Sequence, residues 1–227
     1  MHKRIKKTVL IVDDQKNICD IVKDRFTDCK NINNCPYDFE VDIVLSASKC
    51  VQKVRKKNYD VIVLDIRMEG SRSGLNAAFK LRHQLNENNC TPVRIIFTGH
   101  PSYQHCVEAM RYGVWDFIVK EDIDDTPMAQ IVVNSALSRL QELDLRRELE
   151  QRIAGSWLPR NLRKLLPVYG GKLIAIWHRP EIQVIASGSD AFELEDNLQE
   201  WRKKHAIWEE PFIVEIPRQS PDQEEGD

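Results

Sequence analysis

Asp65 stands at the end of a short apolar, β-branched run, Val61–Leu64, and Asp13 and Asp14 close a second such run, Val9–Val12. Short continuous apolar runs read as parallel strands buried on both faces. In an open α/β sheet, ligands bind in the crevice beyond the carboxyl ends of the strands. Two strands ending in acid would therefore gather three carboxylates in one crevice. Ionised carboxylates that close repel one another unless a cation sits among them, and a ligand set made only of oxygen suits Mg²⁺. A strand-end Asp also often caps the helix that follows, so Asp65 taken alone is open to either reading.

The elements that must position these acids follow from a β–α alternation between residues 8 and 123. Strands are expected at Val9–Val12, Glu40–Leu45, Val61–Leu64, Val93–Phe97 and Asp116–Val119. Helical spacing falls at Lys16–Thr27, Ser46–Lys57, Leu75–Leu85 and Tyr103–Tyr112. Parallel strands need crossovers and helices fill them, so five β–α repeats predict an α/β fold with a doubly wound (βα)5 parallel sheet. The polar stretch from Lys30 to Asp38 is expected as a surface excursion. Lys3, Arg4, Lys6 and Lys7 are expected as a solvated lead-in to the first strand.

Thr126 and Pro127 signal the start of a helix that should run to Ala154, with Gly155 and Ser156 ending it. Leu137, Leu140, Leu145, Leu149 and Ile153 carry an apolar stripe beyond what the sheet can cover. Such a stripe needs a partner, either a second copy of itself or the C-terminal region. After it come a short helix (Arg160–Leu166), strands at Lys172–Trp177 and Gln183–Ala186 joined through Arg179-Pro180-Glu181, a helix from Asp190 to His205, and a strand at Phe212–Ile216. The expected organisation is an α/β domain at residues 1–125, an extended fifth helix and linker at 126–155, a small α+β (ββαβ) domain at 156–217 and a disordered acidic tail at 218–227. A unit of roughly 60 residues buries only about 60% of the surface its unfolded chain exposes. It should lean on the long helix or on a second subunit.

Composition narrows the function classes. The 227 residues are 42% hydrophobic and 30% charged with a formal net charge of −2, which offers no bulk attraction to nucleic acid or an anionic membrane. No apolar run reaches the ~18 residues of a membrane span, and no signal-peptide pattern follows the start. The six cysteines (Cys19, Cys29, Cys35, Cys50, Cys90, Cys106) have no metal-ligand spacing and read as reduced thiols, with no Cys29–Cys35 disulfide expected.

Residues 1–123 resemble the receiver domain of two-component response regulators. Four separated motifs carry the resemblance in order: Asp13-Asp14 after the first strand, Asp65 after the third, Thr98 after Ile95-Ile96-Phe97, and Lys120 after Phe117-Ile118-Val119. The resemblance implies a flavodoxin-like fold and Asp65 as phosphoacceptor, attacking a phosphohistidine of a partner kinase or a small acyl phosphate. It further implies Mg²⁺ ligated by Asp14 and Asp65, by Asp13 partly through water, and by the backbone carbonyl of Arg67. Lys120 and Thr98 would contact the phosphoryl oxygens, Thr98 and Phe117 would form the switch, and Arg67 and His100 would flank an attacking water and tune phosphoryl lifetime. Three positions depart from the family pattern. Glu121 follows Lys120 and Glu69 stands where proline is usual, and Gly99 stands where alanine is common. A cis bond before a non-proline costs about 2.5–4 kcal/mol, which puts the geometry of the Lys120–Glu121 loop in question.

The segments Tyr169–Ala175, Val184–Gly188 and Pro211–Pro217 are similar to a small family of uncharacterised prokaryotic domains, which brings no function with it. Between Gly155 and Pro217 eight Lys/Arg stand against nine Asp/Glu, and no helix-turn-helix is legible. His178 and His205 lack partners at ligand spacing, and Trp157, Trp177, Trp201 and Trp208 read as core or interface. The expected function is a cytoplasmic response regulator of a phosphorelay, switching a non-DNA-binding output module through protein contacts. Its partners would be a sensor histidine kinase or phosphotransfer protein, an output protein, and possible second copies through the fifth helix; membrane and nucleic acid are not expected. A phosphorylation-independent scaffold and a nucleic-acid-binding output are the alternatives. An Asp-nucleophile phosphatase is disfavoured, because Arg67 stands where a general acid would be needed and cannot release a proton.

Overall fold

The computed structural model describes residues 4–31, 35–68, 73–81, 92–120, 125–207 and 210–218. The chain divides into two compact units, Met1–Leu143 and Asp144–Asp227. In the first, strands β1 (Ile5–Val12), β2 (Tyr37–Val44), β3 (Val61–Leu64), β4 (Val93–Thr98) and β5 (Asp116–Val119) form one sheet. Its order is β2-β1-β3-β4-β5 and every pair is parallel. Helices α1 (Lys16–Asp28), α2 (Ala47–Val54), α3 (Ser73–Lys80) and α4 (Tyr103–Arg111) fill the four crossovers, and α5 (Asp125–Arg152) follows the last strand. The strand order reverses between β1 and β3, and these are the two strands that end in acid. The expected (βα)5 architecture is therefore present.

Side-chain parity on the strands separates two cores. Val9, Ile11, Val61, Val63, Ile95 and Phe97 face one way and pack with Phe26 of α1 and Ala129, Val132 and Ala136 of α5. Leu10, Val12, Ile62, Leu64 and Ile96 face the other way, toward Cys50 of α2, Leu75 and Ala78 of α3 and Ala109 of α4. The central strands bury both faces, which is why they read as unbroken apolar runs.

Where strand ends alternate, the sequence reading fell short. β2 begins at Tyr37 rather than Glu40, because Tyr37 and Phe39 turn inward and Phe39 meets Phe26 edge-on at 5.1 Å. The Lys30–Asp38 segment is thus less of a surface excursion than expected: Cys35 and Tyr37 are buried, and 32–34 lie outside the described residues. β1 likewise begins at Ile5, and Lys7 is not solvated. It is buried in the strand, 4.0 Å from Asp60 Oδ1 and 5.4 Å from the centre of the Tyr37 ring.

Arg94 on β4 is buried with no carboxylate partner. Its guanidinium instead donates to Gly113 O at 3.1 Å, just past α4, and to Ala78 O at 3.4 Å in the last turn of α3. The carbonyl-rich ends of helices carry partial negative charge, and here they stand in for an acid. Burial nonetheless pulls the Arg94 pKa below its ordinary value. Gly113, at φ +73°, leaves room for the clamp: a Cβ there would lie 2.9 Å from Arg94 Nη2.

The second unit holds α6 (Leu158–Tyr169), β6 (Leu173–Trp177), β7 (Gln183–Gly188), α7 (Ala191–His205) and β8 (Phe212–Glu215), with the antiparallel sheet order β7-β6-β8. Gly155 and Ser156 do not end the helical path as expected. Ile153–Trp157 form a π-helical turn that leads straight into α6. Ile153 is fully buried in the same core as Leu165, Ile174 and Ile216, and that burial outweighs the roughly 1 kcal/mol glycine costs a helix. Asp190 caps α7, its Oδ1 accepting from Phe192 N and Glu193 N at 2.9 Å each. Of the long-helix stripe, Leu137 and Leu140 pack in the first unit's core and Leu149 and Ile153 in the second unit's, while Leu145 is exposed. Cys19, Cys29, Cys35, Cys50 and Cys106 are free thiols. Trp208, Glu69, Glu121, Cys90 and the acidic residues beyond Arg218 lie outside the described residues.

Candidate functional site

β1 and β3 are neighbours in register, Val12 beside Leu64, so the residues that follow them emerge side by side. Asp13 and Asp65 are both buried, each about 3% exposed, whereas Asp14 is exposed. One carboxylate oxygen from each of the three can be chosen such that all lie within 4.8 Å of one another. Lys120, which follows β5, reaches across: its Nζ donates to Asp13 Oδ2 at 2.6 Å and to Asp65 Oδ2 at 3.1 Å.

Each buried acid divides its two oxygens between tasks. Asp13 Oδ1 accepts from Gln15 N at 2.9 Å and Asp65 Oδ1 from Arg67 N at 3.4 Å, tying down the turn after each strand. The Oδ2 atoms are left to face Lys120. These bonds hold the turns and do not cap the helices that follow: the N-cap of α1 is Gln15, and α3 begins only at Ser73. A cavity of about 160 Å³ opens beside them, lined by Asp14, Gln15, Asp65, Arg67, Gly99, His100 and Lys120.

The buried groups shift one another's titration. Burial pushes the Asp13 carboxyl above its usual range; Lys120 opposes this and Asp65 adds to it. Burial also works against the Lys120 ammonium, but Asp13 and Asp65 outweigh it and hold its pKa above the ordinary value. Lys120 faces Asp13 and Asp65, and the donor set of Asp13, Asp14 and Asp65 suits a divalent cation that prefers oxygen.

Thr98 is fully buried at the end of β4, with its Oγ1 accepting from His100 N at 3.1 Å. It adjoins the cavity without lining it. Phe117 is half-buried against the core that contains Ala109 of α4, also outside the lining. His105 Nδ1 lies 3.3 Å from His100 O, tying α4 to the loop that carries Thr98.

Two contributors escaped the sequence reading. Gln15 lines the cavity, and Gly74 lets α3 close on the end of β3: a Cβ there would fall 1.6 Å from Asp65 O. A glycine in the first turn of a helix carries no visible signal until the strand it touches is known. Gly99 has no such duty, since a Cβ there would meet only Lys120 Cδ at 4.0 Å.

A five-stranded parallel sheet in the order 2-1-3-4-5, with an acid cluster and a lysine at its carboxyl edge, defines a receiver module. The chain belongs to the response regulator receiver domain family, whose description matches residues 9–132. It is 28% identical to the regulatory protein LuxO of Vibrio cholerae over 109 residues, which is 48% of this chain and 22% of that protein. It is 29% identical to the regulatory protein AtoC of Escherichia coli K12 over 157 residues, 66% of this chain and 29% of that protein. The chain thus spans less than a third of either relative. The structure of NtrX from Brucella abortus is similar at a TM-score of 0.51 and 21% identity, covering 73% of this chain and 36% of that one, a likeness of fold. Receiver modules are signalling modules of two-component systems and work with histidine kinases or phosphotransfer proteins. Among the described residues, no helix is long and apolar enough to cross a membrane.

Proposed function

We propose that this chain is a phosphorylation-switched response regulator whose Asp65 accepts a phosphoryl group from the phosphohistidine of a sensor histidine kinase or phosphotransfer protein. The observation that carries this reading is the convergence of Asp13, Asp14, Asp65 and Lys120 around one small cavity at the carboxyl edge of the sheet. The carboxylates of Asp13, Asp14 and Asp65 with the backbone carbonyl of Arg67 would hold Mg²⁺, which when bound offsets charge gathering on the phosphoryl oxygens. Asp65 Oδ2 attacks phosphorus, a P–O bond forms as the P–N bond breaks, and the electron pair returns to the imidazole nitrogen.

Lys120, already 3.1 Å from Asp65 Oδ2, follows the charge onto the phosphoryl oxygens. Thr98 Oγ1 accepts from His100 N and so keeps its own hydrogen to donate to a phosphoryl oxygen. Phe117 then fills the space Thr98 leaves, reshaping the face formed by α4, β5 and α5. Arg67 and His100, at the mouth of the cavity, set how readily water reaches the phosphoryl group. Residues 156–217 form the output module, acting in the cytoplasm through protein contacts rather than DNA. Exposed Leu145 on α5 offers an apolar contact for a homodimer.

Incubation with acetyl phosphate and Mg²⁺, read by intact mass, tests the site. One phosphoryl adduct is expected on the wild type and none on Asp65→Ala. An undiminished adduct on Asp65→Ala would place the phosphoryl group on another residue, and none on the wild type would leave a phosphorylation-independent scaffold; either sinks the reading.

A further inference from the structure

The second unit is nearly neutral in sum but not in distribution. Residues 151–180 carry six Lys/Arg and no Asp/Glu, whereas 181–217 carry nine Asp/Glu and three Lys/Arg. The helices that carry many of these charges lie on opposite faces of one sheet: Arg160, Arg163 and Lys164 are on α6, and Glu193, Glu195, Asp196 and Glu200 share α7 with Arg202, Lys203 and Lys204. Ile174 and Ile176 of β6 pack under α6, with Leu165. Ala175, between them, turns the other way to meet Leu194 and Leu198 of α7. Charges on opposite faces are screened from each other, because the screening length at physiological salt is about 8 Å. The near-zero sum therefore says little about what either face attracts.

The solvent ridge of α6 carries Arg160, Lys164 and Val168, four residues apart, all exposed. The solvent ridge of α7 carries Phe192, Asp196 and Glu200 at the same spacing, again all exposed. Val168 is 59% exposed and Phe192 86%, so each ridge ends in an uncovered apolar side chain. None of the four charged residues makes an ion pair, although exposed pairs such as Lys16–Asp20 and Arg146–Glu150 form elsewhere on the chain.

Four residues of helix rise about 6 Å. Laid antiparallel, the two ridges set Val168 on Phe192, Lys164 on Asp196 and Arg160 on Glu200, with no positions left over between them. A parallel alignment, or a slip of one turn, puts a charge on an apolar side chain instead. We infer that the α6 face of one copy docks on the α7 face of a second copy of this chain. The two ridges lie on opposite faces of the sheet, so one pairing leaves a free ridge at each end. Such a head-to-tail contact grows beyond a dimer unless its rotation closes a ring. It requires no phosphoryl group on Asp65.

The test uses the full chain without a phosphodonor, followed by sedimentation or light scattering over a range of concentrations. The wild type is expected to rise past the mass of a dimer as concentration increases. It should fall back as salt approaches 1 M, where screening shortens to about 3 Å. Arg160→Glu/Lys164→Glu and Asp196→Lys/Glu200→Lys should each remove that rise, and their equimolar mixture should restore it, because each variant supplies the charge the other needs. Restoration by mixing also shows that both variants fold. A wild type that keeps one mass, association that survives both charge reversals, or a mixture that fails to associate overturns the inference. So does salt-sensitive binding of a duplex oligonucleotide that the α6 variant alone loses without any change in self-association, which would make the α6 face a nucleic-acid surface.

Discussion

Among the described residues each unit holds a buried cation between two carboxylates, and the two arrangements differ in how their acids meet water. In the first unit Lys120 faces Asp13 and Asp65, whose side chains are 4% and 3% exposed. In the second, Arg202 of α7 lies 3.2 Å from Glu195 and from Glu210, whose side chains are 53% and 62% exposed. The glutamates stay in water and neutralise the arginine at little desolvation cost; its Nε makes no hydrogen bond at all. The aspartates are held out of water beside each other, and exposed Asp14 adds a third negative charge. Buried like charges are costly, and a bound divalent cation would offset that cost. Water around the acids is what distinguishes the Arg202 cluster from the Lys120 cluster.

The largest effect expected from this contrast is at Lys120. Removing one partner of a buried ion pair typically costs about 3–5 kcal/mol, so Lys120→Met should lower urea-unfolding stability by that order when no divalent cation is present. Arg202→Met should fall within about 1 kcal/mol of wild type, because its former partners remain solvated. Equal losses at the two positions would erase the distinction.

Divalent cation should act on one cluster only. Mg²⁺ at a hundredfold its dissociation constant would stabilise the folded chain by about 2.7 kcal/mol. Asp14→Ala should abolish that gain in a thermal melt, while Arg202→Met should keep it. A gain that survives Asp14→Ala would place the cation elsewhere.

The smallest effect is a pH dependence. Burial raises the Asp13 pKa above its ordinary 3.8, so the folded chain holds this proton more tightly than the unfolded one. Stability from this group is then greatest below 3.8 and is lost as pH rises through the raised folded value. In a chelator, Asp13→Asn should remove this gain on acidification, so its stability should fall more steeply toward acid than that of wild type. A curve of unchanged slope would mean that the carboxyl is not perturbed.

The sheet and its acids were legible for one reason: a strand buried on both faces must be apolar throughout, so Val61–Leu64 and Val9–Val12 announce themselves and show where Asp65 and Asp13 emerge. The same signal fails wherever burial is one-sided. Tyr37 and Phe39 alternate with Asp38 and Glu40, and Lys7 carries a charge into the strand because Asp60 and Tyr37 receive it. Gly155 looked like a helix end, yet Ile153 on one side and Leu165 on the other hold the path helical.

Residue order alone therefore determined the alternation of strands and helices, the acids at the strand ends and the lysine after the fifth strand. These depend on local pattern and on the two-residue and 3.6-residue periods of the backbone. Only the tertiary structure decided that Lys120 spans Asp13 and Asp65, that Gly74 must lack a side chain, and that α6 and α7 of the second unit lie on opposite faces of its sheet. Those facts rest on distances between residues far apart in the chain. A net charge or a single glycine carries no distance until packing supplies one.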